Sequence, residues 1–225
     1  MFYLDAGNTT VKLARPTPTG WDRIATFRHN DVETLRAQLN GQPAIGCSVV
    51  DAVSAALPEV QWLSRADIPT GRIRYATPET LGLDRFVACH GAWEHVGGAA
   101  VVIDAGTAVT IDLIDASGVF LGGVITPGLG ILESALRTGA PALPAVPREL
   151  SGTYPPQSTS DALKAGLLET WTAGIIHHIR QLHAFEPDAK VVLTGADAPL
   201  LAALGDIRPD LLFDGLRSLS RSLFS

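Results

Sequence analysis

Short apolar runs that end at polar or turn-forming residues alternate with helical patterns in the first half of the chain. Apolar runs bounded in this way predict strands, and here they fall at Phe2–Leu4, Thr10–Ala14, Arg23–Phe27, Ala44–Val50 and Val60–Leu63. Apolar residues at helical spacing, or a capped start, predict helices at Asp31–Leu39, Val53–Leu57 and Asp84–Val96. Strands mixed with helices favour an α/β fold.

The second half of the chain mixes the two elements in the same way. Strands are predicted at Val109–Ile114, Phe120–Ile125, Lys190–Thr194 and Leu211–Phe213. Helices are predicted at Pro127–Leu136, which would begin with its proline, and at Ser158–Phe185, Pro199–Leu204 and Leu216–Phe224. The proline-rich stretch Pro141–Pro156 is expected to be a loop or linker.

A short motif recurs between the two halves. The segment YLDAGNT at Tyr3–Thr9 resembles VIDAGT at Val102–Thr107, and a β-rich stretch follows each copy. The repeat distance of about 99 residues is too long for a solenoid, whose periods are roughly 20–50 residues. We therefore expect a duplication that gives two similar α/β halves, residues 1–97 and 98–225.

Composition narrows the class of protein. The chain has 225 residues, of which 46% are hydrophobic and 18% charged, so it is expected to fold around a core. A net charge of −6 argues against nucleic acid or an anionic membrane as a partner. We see no secretion signal and no membrane-spanning stretch, and Cys47 and Cys89 form neither a disulfide framework nor a metal-ligand spacing. These features predict a cytoplasmic protein.

The repeated Asp-Ala-Gly turn has chemistry suited to phosphate. Glycine lets the backbone approach a phosphate closely, and Thr or Asn side chains add hydrogen-bond donors. An Asp at the end of the strand can hold a metal ion or order a water molecule beside that phosphate. A simple tight turn is the alternative for one copy, but two copies that each follow an apolar run favour a phosphate site. The sequence has no Walker-type or dinucleotide-binding glycine motif that would replace it.

These turns resemble the phosphate motifs of the superfamily that contains acetate kinase, sugar kinases, Hsp70 and actin. Further segments are similar to the type III pantothenate kinase family and cover nearly the whole chain. They are Gly82-Leu83-Asp84-Arg85, the run from Asp104 to Asp112, Gly122–Gly128, Ala140–Pro144, Thr159–Ala162 with Gly166, Leu193–Asp197 and Asp214–Leu216. Ala196 stands where the family usually has a second glycine.

The resemblance implies a fold of two RNase H-like halves with an ATP cleft between them. It also implies transfer of a phosphoryl group from ATP to pantothenate, the first step toward coenzyme A. The ATP phosphates would be bound by one loop and one residue of the second turn, namely Asp5, Ala6, Gly7, Asn8, Thr9, Thr10, Val11, Lys12 and Thr107. Asp5 would also order Mg²⁺, and Asp104 would hold a monovalent cation, K⁺ or NH₄⁺.

The same resemblance assigns the pantothenate pocket to Tyr75, Gly82, Leu83, Asp84, Arg85 and Thr159. Asp84 would be the general base, and Arg85 would bind the carboxylate of pantothenate. From spacing alone, Asp84 could instead be a helix N-cap, Arg85 a solvated charge, Tyr75 an edge-strand aromatic and Thr159 a helix cap. Two chains would form a homodimer in which the partner completes part of the pocket.

Two other classes of function stay open at this point. The first is another enzyme of the superfamily, a sugar or acetate kinase or a phosphatase, which need not carry the Gly-Leu-Asp-Arg segment. The second is a non-catalytic accessory or regulatory protein on the same scaffold, in which loss of Asp84 or Asp104 would be expected. A metal site at His177, His178 and His183 is disfavoured because their spacing lacks an i, i+4 pair.

Overall fold

The computed structural model describes residues 1–145, 148 and 154–223. In this part of the chain, ten strands form two five-stranded sheets. The first sheet contains β1 (Phe2–Ala6), β2 (Val11–Thr17), β3 (Gly20–Phe27), β4 (Ala44–Ser48) and β5 (Gln61–Trp62). Its spatial order is β3-β2-β1-β4-β5, with β1 antiparallel to β2 and parallel to β4.

The second sheet has the same topology. It contains β6 (Ala100–Ala105), β7 (Ala108–Ile114), β8 (Phe120–Pro127), β9 (Lys190–Thr194) and β10 (Asp206–Ile207). Its order, β8-β7-β6-β9-β10, repeats the first sheet strand for strand, and β6 is likewise antiparallel to β7 and parallel to β9. The prediction of an α/β fold with two similar subdomains is confirmed, and β1 and β6 are equivalent strands.

Helices cover the sheets and fill the space between them. They are α1 (Val32–Leu39), α2 (Asp51–Ala56), α3 (Leu83–Val96), α4 (Leu129–Gly139), α5 (Thr159–Lys164), α6 (Thr170–His183) and α7 (Leu211–Leu223). A π-helical turn, Ala165–Glu169, joins α5 to α6, so the predicted long helix is continuous but wider in its second turn. Short 3₁₀ turns lie at Arg65–Asp67, Pro78–Thr80 and Ala198–Leu201.

The core is layered because strand residues alternate between the two faces of each sheet. In β1, Phe2 and Leu4 pack outward against α1 and α2, whereas Tyr3 faces the layer between the sheets. In β6, Val101 and Ile103 pack toward α6, whereas Val102 faces that same central layer. Helices α3 and α7 form this layer, and α3 contacts β6 and β7 while α7 contacts β1 and β4. The division at residue 97 stays a prediction.

Helices α3 and α7 approach each other closely at two glycines. A Cβ atom on Gly91 would lie 2.5 Å from the Leu211 carbonyl oxygen and 2.9 Å from the Gly215 nitrogen. A Cβ atom on Gly215 would collide with the carbonyl oxygen of Val87. Backbone therefore rests on backbone at this crossing, and only glycine permits that distance.

Several predicted elements are wrong. Leu211–Phe213 is not a strand but the first turn of α7, because Leu211, Leu216 and Leu219 lie on one helical face that packs into the central layer. Pro127 does not begin a helix; it pairs with Ala108 as the last residue of β8. The helix predicted at Pro199–Leu204 is a 3₁₀ turn, and β10 is too short to be seen as a pattern.

Two segments named in the sequence lie partly outside the described residues. These are the loop Pro141–Pro156 and the end of the closing helix at Phe224. Within the described residues, no helix combines the length and apolar character needed to cross a bilayer.

The glycine crossing generates a prediction about stability. We expect Gly91→Ala to destabilise the fold by about 1–3 kcal/mol, because the added methyl group overpacks a rigid backbone contact. Thermal unfolding should show a melting temperature lower by several degrees. Gly174→Ala is the matched control, because a Cβ atom there meets nothing within 4 Å inside α6. That control should be neutral or stabilising by up to about 1 kcal/mol, and equal effects of the two changes would contradict the crossing argument.

Candidate active site

The two Asp-Ala-Gly turns meet at one place in the molecule. Each is a tight turn after its strand: the Gly7 nitrogen donates to the Thr10 oxygen and the Gly106 nitrogen to the Ala108 oxygen, both at 3.1 Å. The hydroxyl oxygens of Thr9 and Thr107 lie 3.2 Å apart, within hydrogen-bonding distance. Two turns that lie 98 residues apart in sequence are thus within one hydrogen bond of each other.

The expected phosphate loop of the first turn contains both buried and accessible residues. Ala6 and Val11 are buried, so only their backbone atoms could contact a nucleotide. The side chains of Asn8, Thr9 and Lys12 are exposed. Below the turn, His29 Nε2 lies 2.9 Å from the carbonyl oxygen of Gly7 and supports the loop.

Two glycines from other elements shape the second turn. The Gly128 nitrogen donates to the Thr107 oxygen at 3.1 Å, and a Cβ atom on Gly128 would collide with the carbonyl oxygens of Gly106 and Thr107. Gly195, with φ of +91°, lies against Asp104 and Ala105, where a Cβ atom would come within 2.5 Å of both residues. Both glycines belong to segments that carry the family resemblance. That they pack against the backbone of the second turn is seen only in the structure.

Lys12 neutralises part of the negative charge beside the first turn. It lies opposite Asp5 in the β1–β2 register, and its Nζ donates to Asp5 Oδ2 at 2.8 Å. Burial alone would lower the pKa of Lys12, but the carboxylates of Asp5 and Asp104 outweigh burial and raise it. Lys12 therefore stays charged at neutral pH and acts as a fixed cation between the two turns.

Four carboxylates influence one another at this site, which shows how close they are. Burial raises the pKa of Asp104 to about 6; Lys12 opposes this rise, while Asp5, Asp84 and Asp112 add to it. Burial is also the main cause of the raised pKa of Asp84, to which the charge of Asp5 contributes. Among the described residues, ion pairs join Asp5 to Lys12 and Asp112 to Arg85 but leave Asp84 and Asp104 without such a partner, so the site could bind added cations.

Asp84 lies in the first turn of α3 but does not cap it. The N-cap is Gly82, and no side chain caps the helix, so the interpretation of Asp84 as an N-cap is wrong. Asp84 Oδ1 accepts a hydrogen bond from the backbone nitrogen of Arg85 at 2.8 Å. A Cβ atom on Gly82 would lie 2.5 Å from that oxygen, so glycine is needed for the carboxylate to take this position. Leu83, which lies between Gly82 and Asp84 in sequence, is the first residue of α3 and is half-buried.

Arg85 is buried in an ion pair rather than solvated. Its side chain is 8% exposed, and that of Asp112 is 2% exposed. Arg85 Nε lies 3.1 Å from both carboxylate oxygens of Asp112, and Nη2 donates to Oδ1. The interpretation of Arg85 as a solvated charge is therefore wrong. Asp112 was not among the predicted site residues, although a charged residue in the apolar strand β7 was a signal that it needed a partner.

Tyr75 lies beside this ion pair. Its ring contacts Phe120 edge to face, with 6.1 Å between ring centroids, and its hydroxyl interacts with Arg85. Tyr75 lies outside the strands, although the neighbouring Ile73 forms an isolated bridge with Phe120. The interpretation of Tyr75 as an edge-strand aromatic is therefore wrong.

Thr159 is not brought into this constellation by any described contact. It is the exposed first residue of α5, and the N-cap of that helix is Ser158, whose hydroxyl accepts from the Asp161 nitrogen. The interpretation of Thr159 as the cap is wrong by one residue.

Within residues 1–145, 148 and 154–223, no three His, Cys, Asp or Glu side chains form a group that could hold a metal ion. The rings of His177 and His178 contact each other, with centroids 5.2 Å apart, and His183 Nε2 lies 3.0 Å from the Ala189 oxygen. A cation at the acidic site would thus need water, carbonyl or phosphate oxygens in addition to carboxylates.

Comparison with known proteins agrees with this geometry. The family model described as type III pantothenate kinase matches residues 1–181. A type III pantothenate kinase of Dechloromonas aromatica is 40% identical, over 96% of this chain and 97% of the relative. One from Desulfosudis oleivorans is 36% identical, over 99% of each.

Solved structures share the fold at lower identity. A Baf family protein from Campylobacter jejuni aligns with a TM-score of 0.73 at 22% identity, over 99% of this chain and 98% of that one. A protein described as a 2-dehydro-3-deoxygalactonokinase from Sinorhizobium meliloti aligns with a TM-score of 0.51 at 14% identity, over 99% of each. With the family model covering most of its length and relatives above 30% identity along nearly all of it, the chain belongs to the type III pantothenate kinase family.

Proposed function

We propose that Asp84 is the general base with which this kinase transfers the γ-phosphoryl group of ATP to the primary hydroxyl of pantothenate. The family membership supports the reaction, which is the first step of coenzyme A biosynthesis. The observation that carries the base assignment is the state of the four clustered carboxylates. Asp5 is paired with Lys12 and Asp112 with Arg85, whereas Asp84 is in no ion pair among the described residues.

An unpaired carboxylate can accept a proton from the attacking alcohol. Burial raises the pKa of Asp84 and so makes it a stronger base than an ordinary Asp, which helps proton transfer as the bond to phosphorus forms. Asp104 also has a raised pKa, but it lies against the backbone of Gly195, where it is better placed to hold a cation than to meet a substrate.

The paired turns are suited to the triphosphate of ATP. Backbone N–H groups of Asp5 to Lys12, the exposed side chains of Asn8 and Thr9, and Thr107 opposite them would bind the phosphates. Lys12 would add a point charge, and its contact with Asp5 sets where that charge lies. In phosphoryl transfer the protein forms few covalent bonds itself. Its main contribution to catalysis is to position the phosphates and to stabilise their charge.

Cations fit the site because two of its four carboxylates, Asp84 and Asp104, have no ion-pair partner in the part of the chain that the structure describes. Mg²⁺ usually keeps several waters and is bound through one or two carboxylates plus substrate phosphates, so a full cage of protein ligands is not required. Asp5 would hold it through water, and Asp104 would hold K⁺ or NH₄⁺, whose hard charge suits carboxylate oxygens. When bound, these ions would neutralise charge on the phosphates.

The pantothenate pocket would be formed by Tyr75, Gly82, Leu83, Asp84 and Arg85, with Thr159 supplied by a second chain. The half-buried position of Tyr75 and the exposure of Thr159 at the start of α5 support this division. The function would then need a homodimer, and the cytoplasm is its expected location. A different kinase of the superfamily is disfavoured because the Gly-Leu-Asp-Arg segment and the family match are both present. A non-catalytic scaffold protein is disfavoured because Asp84 and Asp104 are both retained.

The base assignment predicts that Asp84→Asn lowers kcat by roughly 10²- to 10⁴-fold, because the amide cannot take the proton. A coupled assay with ATP and pantothenate in K⁺ buffer measures this, and a thermal melt should show little change. Asp51→Asn is the matched control, an exposed Asp in the first turn of α2, and should turn over normally. Near-normal turnover of Asp84→Asn would rule it out as the base.

The cation assignment predicts a pH dependence. The pKa of Asp104 is raised to about 6 by burial, so its carboxyl becomes neutral as the pH falls through that value and should release the cation. We expect the K⁺ concentration for half-maximal rate to rise as the pH is lowered from about 7.5 to about 5.5. Asp104→Asn should abolish the difference between K⁺ and Na⁺ buffers. Equal wild-type rates in the two salts at pH 7.5 would contradict the site.

The same raised pKa affects stability, with a sign that can be checked without substrate. Protonated Asp104 is favoured in the folded state, so its contribution to stability is complete below its unfolded pKa of 3.8 and is lost as the pH rises through about 6. Asp104→Asn should therefore flatten the pH dependence of the melting temperature over this interval in K⁺-free buffer. An unchanged slope would contradict the assignment.

The shared pocket predicts complementation between two inactive variants. Asp84→Asn and Thr159→Arg should each be nearly inactive alone, but a mixed dimer restores one complete pocket from the two intact residues. Randomly assembled dimers should recover about a quarter of wild-type activity, because half of them are mixed and each holds one intact site. Light scattering after size exclusion checks the dimer. An active monomer, or no recovery in verified mixed dimers, would overturn the shared pocket.

A further inference from the structure

The ion pair between Arg85 and Asp112 occupies only one edge of the guanidinium. Asp112 takes the edge formed by Nε and Nη2. Nη1 takes no part in the pair with Asp112, and the Tyr75 hydroxyl interacts with the same guanidinium. A guanidinium has a fork geometry that can bind two carboxylates on different edges. One edge of Arg85 therefore remains able to bind a second anion.

Several residues contact the Arg85–Asp112 ion pair and fix its position. Phe120 lies under the guanidinium, with its ring centroid 5.7 Å from Cζ, and Tyr75 contacts both Arg85 and Phe120. Thr110, two residues before Asp112 on β7, donates a hydrogen bond to the carboxylate. Behind it, a Cβ atom on Gly123 would collide with Asp112 Oδ1, so this glycine is required for the carboxylate to fit.

The position of Asp112 also controls which carboxylate Arg85 meets. Asp84 precedes Arg85 in sequence, and the two side chains attract each other electrostatically. Without Asp112, the buried guanidinium would be drawn to Asp84, a carboxylate that already attracts it, and an ion pair there would occupy the proposed base. Asp112 thus separates the buried cation from the carboxylate that must remain free.

We infer that Asp112 is a positioning residue for substrate recognition: by fixing one edge of Arg85, it directs the free edge, beside the Tyr75 hydroxyl, toward the carboxylate end of the substrate. This inference rests on the proposed function, because it takes the substrate to be pantothenate. It assigns no chemical step to Asp112, which is too buried to touch a substrate.

The test is the separation of two Michaelis constants in Asp112→Asn. Asparagine keeps the shape but loses the charge that fixes the guanidinium, so the KM for pantothenate should rise about 10- to 100-fold. The KM for ATP should stay within about twofold, because the phosphate turns lie on other residues. A merely structural role would disturb both constants or the melting temperature alone. Asp22→Asn, which breaks the exposed Arg15–Asp22 pair, is the matched control and should change neither constant.

A double-mutant cycle with Arg85→Lys shows whether Asp112 acts through Arg85. Lysine cannot form the fork, so Asp112→Asn should have much less effect on the pantothenate KM in that background. A full effect in the Arg85→Lys background would overturn the inference. If Asp112→Asn does not fold, Thr110→Val removes one support of the carboxylate and should raise the pantothenate KM by a few-fold.

The outcomes distinguish the inference from the function on which it rests. Wild-type protein that does not phosphorylate pantothenate would contradict the proposed function. Normal wild-type turnover, with an unchanged pantothenate KM in the folded variant, Asp112→Asn or Thr110→Val, would overturn only the positioning role of Asp112.

Discussion

Helices α3 and α7 cross at Gly91 and Gly215, where the backbone of one helix rests on the backbone of the other. This contact limits how far apart the two sheets can lie, because the two helices are the layer between them. The separation of the sheets in turn sets the distance between the ends of β1 and β6. The contact between Thr9 and Thr107, and with it the closeness of the two Asp-Ala-Gly turns, depends on this spacing.

The second constraint is the charge that the two halves bring together. Each half supplies carboxylates from strand ends, a strand interior or a helix start, and burial raises the pKa of Asp84, Asp104 and Asp112, which makes these three costly to ionise. Lys12 and Arg85 offset Asp5 and Asp112, which leaves Asp84 and Asp104 without ion-pair partners among residues 1–145, 148 and 154–223. The proposed mechanism uses this imbalance, because it assigns one free carboxylate as the base and another as the holder of a cation beside a polyanionic substrate.

Local patterns predicted most elements of the chain because each is bounded by its own turn or cap. The strand Lys190–Thr194 has the predicted limits, and α1 and α3 begin within one residue of theirs. The failures share a cause. Leu211–Phe213 is apolar enough for a strand, but it becomes helical because its burial is against α3, a neighbour more than one hundred residues away in sequence.

By itself, the sequence determined the α/β class, the duplication and the family, because repeated motifs and their spacing are local properties that survive without coordinates. It also pointed to Asp5, Asp84 and Asp104. Only the tertiary structure decided that Arg85 is buried on Asp112, that Asp84 is not a cap, and that Gly128 and Gly195 support the second turn. These facts depend on contacts between residues that are far apart in sequence. No local sequence pattern indicates which of such residues will meet in the folded protein.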